Sequence, residues 1–200
     1  MKKYLLSVCC YLVLSTIAYS QRALPLFNNK DLSGWKINGT EKWYVDNGVL
    51  FAESGPDKAY GYLTTKKTYK NFILSLDFMQ ETNGNSGVFI RSGIVGTKIS
   101  GWQVEIAPPG LHTGGIYESY GRKWLIMPKT EDEKVLKFGE WNHMKIEMKD
   151  DEVTTWLNGV KMVYLKDSLI GKGNGVVALQ IHAGGGIKLG FKNIMIEELN

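Results

Sequence analysis

Beyond its tenth residue the sequence has no cysteine: Cys9 and Cys10 are the only two among 200 residues. No disulfide can therefore staple the rest of the chain, and its stability has to come from a hydrophobic core. Charge of one sign is scarce as well. Lys and Arg number 24 against 20 Asp and Glu, and with no basic cluster standing out, a nucleic-acid partner is not expected. The three histidines, His112, His143 and His182, are too scattered for a metal motif such as paired His at helical spacing. There is no nucleophile elbow, phosphate-cradling loop or dinucleotide fingerprint. Gly184-Gly185-Gly186 leads into a strand-like stretch rather than opening a helix, so it reads as a turn.

A long apolar run is present only at the start, and it is short for a membrane. Lys2 and Lys3 precede an apolar stretch from Tyr4 to Ala18, which closes with Ala18-Tyr19-Ser20. This is the layout of a secretory signal peptide over residues 1–20, whereas a membrane anchor needs roughly 20 apolar residues. A lipoprotein reading is weaker, because Cys9 and Cys10 come too early and lack a preceding small residue. Cleavage near Ser20 leaves 22 basic and 20 acidic residues, since only Lys2 and Lys3 depart, for a net charge of +2. The mature chain, 21–200, is then one domain, periplasmic or extracellular and without a transmembrane segment.

What fills that domain is period-two alternation. Phe72, Leu74, Leu76 and Phe78 share one face with Ser75 and Asp77 opposite, and Met144, Ile146 and Met148 repeat the pattern. Asn158-Gly159 between Val153 to Leu157 and Val160 to Leu165 predicts a two-residue hairpin, and Asp46-Asn47-Gly48 a similar reversal. In the last strand Ile187, Leu189 and Phe191 share a parity that Ile194 and Ile196 abandon, which predicts a bulge near Lys192-Asn193. Short strands with a turn signal every ten or so residues predict an all-β fold, a jelly-roll sandwich of two antiparallel sheets. Trp43, Trp141 and Trp156 stand at strand-like positions and are expected in its core.

Four segments have compositions that packing alone does not explain. In Asn85-Ser86-Gly87-Val88-Phe89-Ile90-Arg91 the arginine shares parity with Phe89, Gly87 and Asn85. Facing a groove, Arg91 could grip a carboxylate or a hydroxyl pair; otherwise it forms an ion pair within the sheet. In Gly101-Trp102-Gln103-Val104-Glu105-Ile106, alternation sets Gln103 and Glu105 side by side on the face away from Trp102, Val104 and Ile106. Glu105 is the leading candidate for a catalytic or ligand carboxylate. The stretch Thr113-Gly114-Gly115-Ile116-Tyr117-Glu118-Ser119-Tyr120-Gly121-Arg122-Lys123-Trp124 interleaves aromatics with Glu and Arg on a glycine-flexible loop. Such rings stack on the apolar side of a pyranose while the charged groups bind its hydroxyls, although a loop covering the core would also use them. Finally, Gln180 and His182 share a parity opposite Leu179 and Ile181, so His182 is a candidate proton donor, proton acceptor or metal ligand.

Taken in order, Leu26-Phe27-Asn28-Asn29-Lys30-Asp31-Leu32-Ser33-Gly34-Trp35, Asn85 to Arg91, Gly101 to Ile106, Thr113-Gly114-Gly115-Ile116-Tyr117, Glu140-Trp141-Asn142, Trp156 to Val160, Leu179 to His182 and Phe191-Lys192-Asn193-Ile194 resemble the 3-keto-disaccharide hydrolase domain family. The resemblance implies a concanavalin-like jelly roll, common in exported proteins, and an activity on glycosides whose C3 hydroxyl has been oxidised to a ketone. The ketone acidifies the C2 proton, so a base can remove it and the aglycone can leave from C1, with water added afterwards. On this resemblance Glu105 or His182 is the base or acid and Arg91 steadies the enolate, a role a divalent metal could take instead. Gln103, Tyr117 and Glu118 orient the sugar, with Asn85, Tyr120, Arg122 and Trp124 as further binding residues. A non-catalytic carbohydrate-binding module is the alternative on the same scaffold. The sequence departs from the family's pattern at one strand: many relatives resemble Gly-Tyr-Glu-Val-Gln where this chain has Gly101-Trp102-Gln103-Val104-Glu105.

Overall fold

A computed structural model describes residues 22–199; the expected signal peptide lies outside the described residues. Among those described, no helix is long and apolar enough to cross a membrane. The chain forms β1 (Leu24–Pro25), β2 (Trp35–Asn38), β3 (Lys42–Asp46), β4 (Val49–Glu53), β5 (Gly61–Tyr69), β6 (Phe72–Thr82), β7 (Ser86–Val95), β8 (Lys98–Ile106), β9 (Ile116–Ser119), β10 (Lys123–Ile126), a helical turn α1 (Thr130–Glu133), β11 (Asn142–Lys149), β12 (Glu152–Leu157), β13 (Val160–Lys166), a second turn α2 (Ser168–Lys172), β14 (Gly175–Ile181) and β15 (Lys188–Glu198). Two antiparallel sheets result. One runs β13-β12-β11-β6-β15-β4-β3 with β1 against β15, and the other runs β10-β9-β8-β7-β14-β5-β2.

The alternation read in the sequence becomes the core between these sheets. Phe72, Leu74, Leu76 and Phe78 of β6 and Met144, Ile146 and Met148 of β11 bury completely against Val88, Val104 and Leu179 of the facing sheet. The Asn158-Gly159 and Asn47-Gly48 pairs close their hairpins with positive φ at both residues, as a two-residue primed turn requires. The bulge in β15 lies where the parity slips, with a register break between Lys192 and Met195 and Asn193 at φ 52°. The bend lets β15 pair with β4 through Lys188 to Phe191 and with β1 at Met195 and Ile196.

The expectation for the tryptophans needs correction. Trp43 is in the core, but Trp141 and Trp156 stand outside the first sheet with Lys192 and Lys145 over their rings at 3.9 and 4.4 Å. Trp156 pairs with Lys145, one residue out of phase with core-facing Met144 and Ile146. An indole half-covered by a lysine stem satisfies itself there without entering the core.

Candidate functional site

The outer face of the second sheet carries a cleft of ≈ 720 Å³. Its floor follows from strand register. Tyr62 on β5 pairs with Gln180 on β14, Gln180 with Gly87 on β7, and Gly87 with Glu105 on β8, so four strands contribute to a single rung. On the next rung Gln103 pairs with Tyr117 of β9. Gly87 is what opens the floor, since a Cβ there would meet the Gln103 amide nitrogen at 2.5 Å.

Glu105 is the electrostatic centre of this floor. It is only 8% exposed, and its Oε2 accepts a hydrogen bond from Gln103 Nε2 at 3.0 Å. Oε1 is buried and has no hydrogen-bond partner. Burial pushes the carboxyl pKa up to about 8, against the weaker opposing effect of hydrogen bonds from the Ile106 backbone and Gln103. At neutral pH Glu105 therefore holds a proton and can donate it. Two more buried oxygens of the floor, Asn85 Oδ1 and Gln180 Oε1, also lack partners. Unpaired acceptors in a cleft cost free energy until a donor arrives, and a polyhydroxylated ligand brings several.

Beside them stands a second proton-handling pair. His182 follows β14, and its Nδ1 lies 2.9 Å from the Ala183 carbonyl oxygen, which can only accept. Nδ1 therefore carries the hydrogen, and Nε2 accepts from the Tyr60 hydroxyl at 3.0 Å. Burial raises the Tyr60 pKa, so the hydroxyl keeps its proton. Burial likewise pushes Tyr62 up to about 12.

The family model of the 3-keto-alpha-glucoside-1,2-lyase-like domain matches residues 22–197. The chain belongs to this family. Two crystal structures from Parabacteroides distasonis, each called a "putative glycosyl hydrolase", share the fold of this lyase-like domain. One is 25% identical, with a TM-score of 0.67 over 89% of this chain and 100% of the other. The second is 24% identical, with a TM-score of 0.67 over 89% and 94%. The carbohydrate-binding module CBM66 of Bacillus subtilis has the same fold at 16% identity, with a TM-score of 0.63 over 82% and 96%. No curated protein matches the sequence. Family and fold together place the lyase-like domain in carbohydrate chemistry.

Of the residues singled out in the sequence, Asn85, Gln103, Glu105, Tyr117, Tyr120, Trp124 and His182 all line the cleft of the lyase-like domain. Three do not. Arg91 is sealed inside, 3% exposed, and donates to the carbonyl oxygens of Lys70, Asp150 and Ile170 and to Asn71 Oδ1. The cause is a bulge: register breaks between Ile90 and Gly93, and Arg91 sits at φ 47°, which turns its side chain off the face shared by Gly87 and Phe89. Arg91 therefore joins three chain segments and steadies no enolate. Glu118, adjacent in strand to Tyr117, points the other way and pairs with Arg122, which also reaches Asp167 at 2.7 Å. Asp167 in turn caps α2 by accepting from the Leu169 and Ile170 backbone nitrogens. Both charges anchor the β9–β10 hairpin from behind rather than meeting a sugar.

Tyr60, Tyr62, Leu111 and Lys123 also line the cleft, and sequence patterning did not single them out. For Tyr62 a signal existed, its parity on β5, but a tyrosine in an apolar run reads as core. Tyr60 lies in a loop, where parity carries no information. Among the described residues no three His, Cys, Asp or Glu come close enough together to hold a metal ion. The side chains do not fit the divalent metal suggested by the resemblance, and no step below is routed through one.

Proposed function

We propose that this protein is an exported enzyme that cleaves 3-keto-glycosides by elimination at C1 and C2. The supporting observation is a buried, protonated carboxyl and a hydrogen-bonded Tyr60–His182 pair in one cleft, which offer an acid and a base side by side. The C2–H bond breaks as the Tyr60 oxygen takes the proton and the Tyr60 hydroxyl proton moves onto His182 Nε2. The electron pair left on C2 spreads onto the C3 carbonyl as an enolate, to which the Tyr62 hydroxyl donates. The enolate then reforms the ketone, the C1=C2 double bond forms, and the C1–O bond breaks as Glu105 gives its proton to the departing oxygen. Solvent returns a proton from His182 to Glu105, and water added across C1=C2 would complete net hydrolysis. The orphaned oxygens of Asn85 and Gln180 receive the sugar's hydroxyl protons.

The test compares a 3-keto-glucoside with its unoxidised parent, using Glu105→Gln and His182→Ala variants beside the parent protein. The proposal requires aglycone release from the keto compound alone, lost in both variants while the sugar still binds. Binding of both sugars with release from neither would instead make the protein a carbohydrate-binding module.

A further inference from the structure

The proposed proton transfers use one end of the cleft, and the other end is of a different character. Leu111 and Tyr120 line the same cleft 51% and 76% exposed, unusually open for large apolar groups. On the β9–β10 side of the cleft, the sheet edge away from β14 and β5, runs a ladder of three rings. His112 meets Trp124 edge-on with centroids 5.1 Å apart, and Trp124 meets Tyr117 in the same way at 5.4 Å. The ladder is set by a residue outside the cleft. Glu133, in α1 and only 8% exposed, accepts from the His112 backbone nitrogen at 3.0 Å through Oε2 and faces Nδ1 at 3.3 Å through Oε1. His112 is held in the left-handed region at φ 71°, where a non-glycine residue needs such support. In the neutral tautomer that donates Nδ1–H to Glu133, Nε2 is an acceptor, and it has no partner among the described residues.

We propose that this end is the aglycone site. The ring ladder packs on the flat apolar face of a ring attached at C1, His112 Nε2 accepts from a donor on that ring, and Glu133 is the positioning residue that fixes both. The assignment of ends rests on the reading above, in which the reacting sugar occupies the floor at Glu105. A volume of ≈ 720 Å³ lies well within the range of about 300–1,000 Å³ that holds drug-sized ligands. The acceptor-rich and ring-lined ends thus match the two halves of a glycoside.

The experiment titrates three probes, methyl 3-keto-α-glucoside, 4-nitrophenyl 3-keto-α-glucoside and 3-keto-maltose, by calorimetry in a Tyr60→Phe background that blocks turnover. The two ring-bearing probes should bind about tenfold tighter than the methyl glycoside, the size of a well-placed aromatic contact. Glu133→Ala and Trp124→Ala should bring that ratio close to one by weakening the two ring-bearing probes about tenfold more than the methyl glycoside, and Glu133→Gln, which keeps an acceptor for the His112 nitrogen, should retain part of it. His112→Phe, which keeps a ring and removes the acceptor, separates the sources: loss confined to 3-keto-maltose marks a sugar hydroxyl as the donor, and no loss for either probe overturns the acceptor role and leaves stacking alone. The proposal falls if the parent shows no preference, if Trp124→Ala leaves the preference intact, or if Glu133→Ala weakens all three probes equally, as a purely structural latch would. Aglycone release by the parent enzyme is scored separately, so a chemically inert protein that keeps the binding preference overturns only the elimination reading.

Discussion

Replacing Glu105 by Gln should make the protein more stable at alkaline pH, the opposite of what deleting a polar contact usually does. The folded-state pKa of about 8 lies above the ordinary carboxyl value of 4.5. The folded protein therefore keeps a proton that the unfolded chain releases between those values. The stability it supplies is complete below about pH 4.5 and is lost as pH rises through about 8. At about 1.4 kcal/mol per pH unit, the interval corresponds to roughly 5 kcal/mol. A glutamine puts an amide NH2 where the protonated acid has its hydroxyl and keeps a carbonyl oxygen as acceptor for Gln103, yet it does not titrate. Urea unfolding of both proteins from pH 4 to 9.5 should give curves that agree within about 1 kcal/mol at pH 4 to 5. They should then separate as the parent alone falls. In thermal melts the gap at pH 9 would be roughly 10–20 °C, at about 2–4 °C per kcal/mol for a chain of this size. Parallel profiles across the whole range would refute the buried, protonated Glu105.

Four further outcomes follow from the same geometry. Tyr60→Phe removes the hydroxyl between substrate and His182, and kcat should fall by about 10²–10⁴ with little change in sugar affinity by calorimetry. Arg91→Met removes the donor to the Lys70 and Asp150 carbonyl oxygens, while Ile170 O and Asn71 Oδ1 keep the Gly173 and Asp150 backbone nitrogens, and chemical unfolding should show a loss of about 2–5 kcal/mol. Arg122→Ala should cost less than about 1 kcal/mol by the same method, because its ion pairs are solvent-screened. Gly61→Ala places a Cβ 1.5 Å from the buried Glu41 Oε2, so the side chain must move, and a melt should show a loss of about 1–3 kcal/mol.

Much of the architecture was legible because alternation and turn chemistry are local. The β6 and β11 cores, both Asn-Gly hairpins and the β15 bulge follow from residues within a few positions of one another. The same parity argument brought Gln103, Glu105 and His182 to one face. It failed at Arg91, where a bulge ending at Gly93, a glycine that parity alone passes over, reverses the phase of β7. Glu118 was read from composition without parity, and neighbours in a strand cannot share the face that Tyr117 occupies. Tyr60 and Glu133 were out of reach for a different reason. Tyr60, from a loop, meets His182 across 122 residues and Glu133, from the single helical turn α1, meets His112 across 21, and no sequence period encodes such a meeting.

The most direct measurement of the central account follows 4-nitrophenyl 3-keto-α-glucoside carrying hydrogen or deuterium at C2. The elimination reading predicts nitrophenol release that slows on deuteration and disappears in Tyr60→Phe. Release that is indifferent to both the isotope and the tyrosine would contradict it.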